Sequence, residues 1–180
     1  MRIVSGKYRG MNLVEFKGNE IRPTADRVKE NLFNILRNVI NFSTALDLFC
    51  GSGNLGIECL SRGASYVHFN DLSKDSLKVL NQNLKKLKGG ENYTVSNCDY
   101  LNCLSTINKK FDLILIDPPY KFDYVNSALT AIKKYQVLNA NGIIVYEWDE
   151  RYLGEVEGFK KIGERRYGRV YLTFFRLSEE

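Results

Sequence analysis

Histidine is almost missing from this 180-residue chain: His68 is the only one. The four cysteines, Cys50, Cys59, Cys98 and Cys103, contain no Cys-x-x-Cys pair. A structural zinc needs about four nitrogen or sulfur ligands at suitable spacing, so no metal site is expected and the thiols are expected to be reduced. Proline occurs three times, at Pro23, Pro118 and Pro119, and no Pro/Ser-rich linker, low-complexity tract or internal repeat is present. That argues against a hinged second domain and for a single domain over residues 1–180. No apolar run approaches the roughly 20 residues of a membrane helix, and the start, Met1 to Lys7, lacks a signal-peptide apolar core. A cytoplasmic chain follows by default, and nothing demands a dimer, so a monomer is the expectation.

Hydrophobic residues make up 44% of the chain and charged residues 26%, which fits a globular core rather than disorder. The net charge is +5, a lean toward polyanionic partners. Arg2, Lys7, Arg9, Arg22, Arg27 and Lys29 precede the first core strand, and Lys160, Lys161, Arg165, Arg166 and Arg169 lie near the end. A solvated face is the plain alternative for both groups, and it keeps most force for the second. Arg2, Lys7, Arg9, Arg22 and Arg27, with Thr24, are the candidate nucleic-acid surface, while Arg22 and Thr24 could instead fold over a cofactor. If the first group binds phosphates, affinity should fall steeply with salt through counterion release.

Gly6 and Gly10 in a weakly alternating start suggest a small hairpin. Pro23 keeps the preceding residue extended and Thr24 can cap a helix. Val28, Leu32, Ile35 and Val39 then recur at helical spacing over 25–39. Short apolar runs follow at Ala45–Phe49, Tyr66–Asn70, Phe111–Ile116 and Gly142–Tyr146, with a weaker one at Tyr93–Asn97. Helical patterns fall between them, clearest in Asp75–Leu87. Buried strands alternating with helices give a parallel sheet covered on both faces. The segments 159–166 and 169–176 flank Tyr167-Gly168 and read as a β-hairpin on one edge. The expected fold is therefore α/β: a Rossmann-like, mostly parallel, seven-stranded sheet of the methyltransferase type. A C-terminal antiparallel hairpin ends it. Residues 1–40 form a substrate-facing extension and 41–180 the catalytic core.

Two stretches carry chemistry. In Asp47-Leu48-Phe49-Cys50-Gly51-Ser52-Gly53-Asn54-Leu55-Gly56, glycines at 51 and 53 permit a tight turn and close ligand approach, and Gly56 permits close helix–sheet packing. Asp71 follows about 20 residues later, placed for ribose hydroxyls. This spacing alone serves NAD and S-adenosylmethionine equally. Asp47, just before the glycines, suits a cationic amino-acid group better than a pyrophosphate. Asp99 is placed to accept from an adenine amine. Cys50, Ser52 and Leu72 complete the candidate cofactor residues.

The second stretch, Asp117-Pro118-Pro119-Tyr120, closes an apolar strand. An exocyclic base amine is a poor nucleophile because its lone pair is delocalised into the ring. Hydrogen bonds from its N–H groups to the Asp117 carboxylate and the Pro118 carbonyl would localise that pair. Proline adds no competing donor. An aspartate of ordinary pKa, about 3.9, would be ionised at neutral pH and accept only. Tyr120 offers a stacking face for the base, with Pro119 beside it.

At these residues the chain resembles the amino-group nucleobase methyltransferases. More specifically, it is similar to the RsmD family of bacterial small-subunit ribosomal RNA guanine-N2 methyltransferases. The likeness covers nearly the whole chain. It rests on Arg2-Ile3-Val4-Ser5-Gly6-Lys7-Tyr8-Arg9-Gly10, on Arg22-Pro23-Thr24 through Asn34, on Leu46–Gly56, on Ser61-Arg62-Gly63-Ala64 and on Asp117–Tyr120. It implies S-adenosylmethionine bound by Asp47, Gly51, Gly53, Asp71 and Asp99, with Asp117 and Tyr120 at the base. The implied substrate is 16S rRNA in an assembled or partly assembled small subunit. The family usually has Glu where Asp71 stands and often Ala where Cys50 stands.

The rivals fare less well. A DNA adenine-N6 methyltransferase normally carries a target-recognition region for which 180 residues leave little room. An NAD oxidoreductase has no use for Asp117–Tyr120, and a pyrimidine C5 methyltransferase needs a cysteine beside the base, not in the cofactor loop. A non-catalytic, RNA-binding assembly factor on the same scaffold is the remaining alternative.

Overall fold

The structure, a computed structural model, describes residues 1–15, 23–119 and 124–178. Its elements run α1 (Pro23–Ile35), α2 (Arg37–Ile40), β1 (Thr44–Asp47), α3 (Asn54–Ser61), β2 (Tyr66–Asn70), α4 (Lys74–Leu84) and β3 (Tyr93–Ser96). They continue as α5 (Tyr100–Thr106), β4 (Phe111–Ile116), α6 (Val125–Lys134), β5 (Leu138–Trp148), β6 (Phe159–Tyr167) and β7 (Val170–Leu177). The strands form one seven-stranded sheet in the order β3-β2-β1-β4-β5-β7-β6. β1 to β5 pair in parallel, and β7 runs antiparallel to both β5 and β6. This is the Rossmann-like methyltransferase sheet that the alternating pattern predicts.

Side chains alternate across the sheet, so each strand feeds two cores. On β4, Leu113 and Leu115 join the core under α1, α3 and α4, while Ile114 and Ile116 join the core under α5 and α6. Gly56 permits the close packing expected of it: a Cβ there would stand 2.2 Å from Phe69 Cε1.

The boundaries differ where packing overrides local pattern. The expected helix over 25–39 begins at Pro23 and breaks at Leu36, whose backbone (φ −84°, ψ 0°) leaves helical geometry. Leu32, Leu36 and Ile40 all stay buried across that break. Pro23 stands at the first helical position, where its missing N–H costs nothing, so Thr24 lies inside α1 and is not its cap. β5 extends well beyond 142–146, because Trp148 pairs with Tyr171 and Leu138 with Phe111. β3 is an exposed edge strand, which explains its weak sequence pattern.

The N-terminal hairpin is minimal, with one antiparallel bridge between Arg2 and Asn12. Its task is to cover α3, a helix whose residues from Leu55 to Ser61 are all buried. A helix buried all round needs a roof as well as a floor. The hairpin tip docks on the last turn of α3: Lys7 N–H donates to Ser61 O (2.7 Å), Tyr8 N–H to Ser61 Oγ (2.9 Å), and Ser61 Oγ to Ser5 O (2.6 Å). Gly6 makes this possible. Its φ is +82°, and a Cβ would fall 1.9 Å from Ser61 O. Gly6→Ala is expected to lower stability by about 1–3 kcal/mol, read by urea denaturation; an unchanged midpoint would show that the tip is not docked in solution.

Candidate active site

The parallel strands all end at one edge of the sheet, where loops leave for the following helices. A cleft of about 660 Å³ opens there, inside the roughly 300–1,000 Å³ range of small-molecule sites. The loops after β1, β2 and β3 line it, together with Asp117 and Pro119 after β4.

The loop after β1 turns through Gly51 (φ +53°) and Gly53 (φ +85°). Nothing lies within 4 Å of where a Gly51 Cβ would stand, so the backbone at this point of the cleft is open to a ligand. Asp71 fixes the loop, its Oδ2 accepting from Gly51 N–H and its Oδ1 from Ser73 N–H, both at 2.8 Å. Each oxygen keeps acceptor capacity toward the cleft. Asp99 caps α5 through Leu101 N–H at 2.8 Å and lines the same cleft. Cys50, Ser52 and Leu72 line it too.

Burial, reinforced by the charges of Asp47 and Asp71, pushes the Cys50 thiol up, so it is a neutral wall and not a nucleophile. His68 is held between Thr94 Oγ1 (2.6 Å) and Ser96 Oγ (2.9 Å). Burial lowers its pKa to about 4, which leaves it neutral at pH 7.

Asp47 calls for a correction. The expectation placed its carboxylate against a cationic ligand. It is instead 1% exposed, does not line the cleft, and accepts from Gly56 N–H at 2.8 Å. Gly53, at the N-cap of α3, has no side chain to satisfy that helix's free N–H groups. Asp47 does so from below, and any influence on a ligand runs through the shape of the glycine loop. Burial raises it to about 7.

Lys7 is a second correction. Its Nζ pairs with Glu91 at 2.9 Å, just before β3 and therefore at the opposite edge of the sheet from the cleft. Lys7 and Arg9 both sit on the hairpin tip that docks on the last turn of α3. The eight-residue helix carries that tip about 12 Å from the glycine loop. Arg2 lies 3.7 Å from Asp26, and Arg27 is exposed on α1. Arg22 and Tyr120 fall outside the described residues, as does the Thr24 side chain.

Asp117 lines the cleft, with Pro118 buried behind it. The ordinary carboxylate pKa assumed from sequence does not hold, because burial raises Asp117 to about 7. Ile116 pairs with Tyr146, so Asp117 and Glu147 follow side by side at the ends of β4 and β5. Burial and the neighbouring Asp117 charge push Glu147 well above the usual carboxylate range.

Sequence reasoning missed Glu147, though an acid at the end of an apolar run was a usable signal. It also missed Phe49, Tyr100 and Tyr124. Their rings, tilted against one another, cluster at centroid distances of 5.3–5.5 Å and line the cleft as an aromatic wall. Asn70 and Asn97 were missed as well. Asn70 Nδ2 donates to Leu48 O and Cys98 O at 3.2 Å, and Asn97 Nδ2 to the carbonyls of Asp71 (2.8 Å) and Leu72 (2.9 Å). These side chains stitch three loops into one surface. Only the folded sheet brings those loops together.

Asp71→Ala is expected to weaken S-adenosylmethionine binding by about 10- to 100-fold, the effect of losing charge-assisted hydrogen bonds of roughly 1.5–3 kcal/mol. Titration calorimetry checks this, and an unchanged affinity would remove Asp71 from the cofactor site.

The family model described as "Conserved hypothetical protein 95" matches residues 1–176. A Bacillus subtilis protein named putative rRNA methyltransferase YlbH is 38% identical over 167 residues, 91% of this chain and 89% of that one. The ribosomal RNA small subunit methyltransferase D of Haemophilus influenzae is 38% identical over 180 residues, 98% of this chain and 93% of that one. Among solved structures, the putative methyltransferase yhhF from Escherichia coli superposes with a TM-score of 0.88 at 29% identity, covering 100% of this chain and 99% of the other. The glycine loop, the acids around it and these likenesses agree, and the chain belongs to the conserved hypothetical protein 95 family, the RsmD family of methyltransferases.

Proposed function

We propose that the protein methylates the exocyclic N2 amine of a guanine in 16S rRNA of the small ribosomal subunit. One observation carries this reading: Asp117 lies in the same cleft as Gly51, Asp71 and Asp99. Gly51, Asp71, Asp99 and the Phe49–Tyr100–Tyr124 wall fit S-adenosylmethionine, which supplies a sulfonium-activated methyl group when bound. Gly53, expected at the cofactor, does not line the cleft and packs against Leu80, so it only shapes the loop. The names of the relatives, a putative rRNA methyltransferase and a ribosomal RNA small subunit methyltransferase, support the choice of RNA.

The Asp117 carboxylate accepts one N–H of the target amine, and the Pro118 carbonyl accepts the other. Both contacts localise the nitrogen lone pair, and the cost of orientation is met before reaction. Conversion of NH2 to NHCH3 releases one proton. A carboxylate with a pKa of about 7 is matched to take it near neutral pH.

Small subunits from cells lacking this enzyme, incubated with the protein and labelled methyl donor, should acquire label in N2-methylguanosine, mapped by mass spectrometry. Label in N6-methyladenine of duplex DNA would overturn the reading. RNA binding with no transfer would leave an assembly factor on a methyltransferase scaffold.

A further inference from the structure

The sheet register places a second basic surface beside the base site. Asp117 follows the Ile116–Tyr146 pair, Glu147 pairs with Leu172, and Leu172 pairs with Arg165. The four positions form one row across β4, β5, β7 and β6. Three strand spacings separate its ends, roughly 14 Å. The β6–β7 turn, with Arg166 and Arg169, therefore stands at the same edge of the sheet as the cleft. The N-terminal hairpin tip stands at the other.

The three arginines are exposed. The nearby acid, Glu164, is taken by Arg151 (2.9 Å) and Lys161 (3.5 Å). Among the described residues no carboxylate pairs with Arg165, Arg166 or Arg169. Arg166 is also held in place: its Nε donates to Gly168 O at 2.9 Å, and its guanidinium lies 5.4 Å from the centre of the Tyr171 ring. A cationic hairpin end that begins at Arg165, roughly 14 Å from Asp117, and continues outward through Arg166 and Arg169 is spaced for phosphates a few nucleotides from a base held at Asp117.

We propose that the turn end of the β6–β7 hairpin, through Arg165, Arg166 and Arg169, binds the phosphates of the RNA strand that flanks the target base. The proposal rests on the reading of the protein as an RNA methyltransferase. It moves the phosphate-binding role from Lys7 and Arg9 to the C-terminal cluster.

The test uses a fluorescein-labelled, mixed-sequence single-stranded RNA of about 20 nucleotides, long enough to span several phosphates. Anisotropy is followed against salt for wild type, for R165A/R166A/R169A and for the matching triple Lys variant. Three lost phosphate contacts should reduce the slope of log K against log salt by about 2, at roughly 0.7 per contact. The Lys variant should keep the wild-type slope, and both variants should bind S-adenosylmethionine normally, which shows that they are folded. A wild-type slope in the Ala variant would overturn the proposal alone. Absence of RNA binding and of methyl transfer in the wild type would overturn the underlying reading. Weaker binding of the Ala variant to small subunits, with unchanged binding to free RNA, would assign the turn to a ribosomal protein and overturn the phosphate role.

Discussion

Asp117→Ala is expected to lower kcat by about 10²- to 10³-fold, the usual effect of losing one group aimed at developing charge, while S-adenosylmethionine affinity changes little. The contact is with the base amine, so the loss falls on turnover. Near-normal turnover would remove Asp117 from the chemistry. The pH profile adds a test that a merely structural role would not move. Below about pH 7 the carboxyl is largely protonated and accepts poorly; above it, the ionised form accepts from the amine and can take its proton. Wild-type kcat/KM, which reports groups of the free enzyme, should therefore rise with pH and level off above an apparent pKa near 7. Glu147 stands beside Asp117, so that value belongs to the pair. Asp117→Asn should flatten the rise. A wild-type profile already flat from about pH 5 would mean that Asp117 keeps an ordinary carboxylate pKa.

The second large effect is on stability. Glu58 is fully buried, and its carboxylate accepts from Val4 N–H (2.9 Å), Ser5 N–H (3.1 Å) and Arg62 Nε (2.8 Å). Lys29, 2% exposed, lies 3.4 Å away and also donates to Arg2 O and Asn54 Oδ1. One carboxylate thus joins the hairpin, α1 and α3. Glu58→Ala strands a buried ammonium and two backbone N–H groups, at a cost of about 3–5 kcal/mol. For a domain of this size each kcal/mol moves Tm by about 2–4 °C, so calorimetry should show a drop of roughly 10 °C. Burial already lowers the Lys29 pKa, and losing its partner lowers it further. A Glu58→Leu/Lys29→Met pair should recover only the part due to the stranded ammonium, because the Val4 and Ser5 N–H groups still lack an acceptor. A single-variant loss under about 1 kcal/mol would mean that water reaches the cluster.

Much of the lining of the candidate cleft was legible along the chain. The glycine loop, Asp71 and Asp99 follow from strand–turn–helix chemistry, because each acts within a few residues of its own element. Asp117-Pro118-Pro119 is legible for the same reason: the end of a buried strand is a local feature, and strand order sets where it points.

The errors have a common origin. Asp47 interrupts the apolar run Ala45–Phe49 just before the glycine loop and looks ligand-facing, but the unmet N–H of Gly56 turns it inward. Lys7 and Arg9 are close in sequence to other basic residues, yet docking on Ser61 carries them to the far edge of the sheet. Glu147 ends an apolar run, but only the sheet register sets it beside Asp117, and the Phe49–Tyr100–Tyr124 wall comes from separate loops that no spacing in the chain announces. Local periodicity and turn chemistry depend on neighbours in sequence, and the sequence by itself determined which strands and helices form and in what order. Burial, pKa and the partner of each charge depend on neighbours across the sheet, and only the tertiary structure decided those.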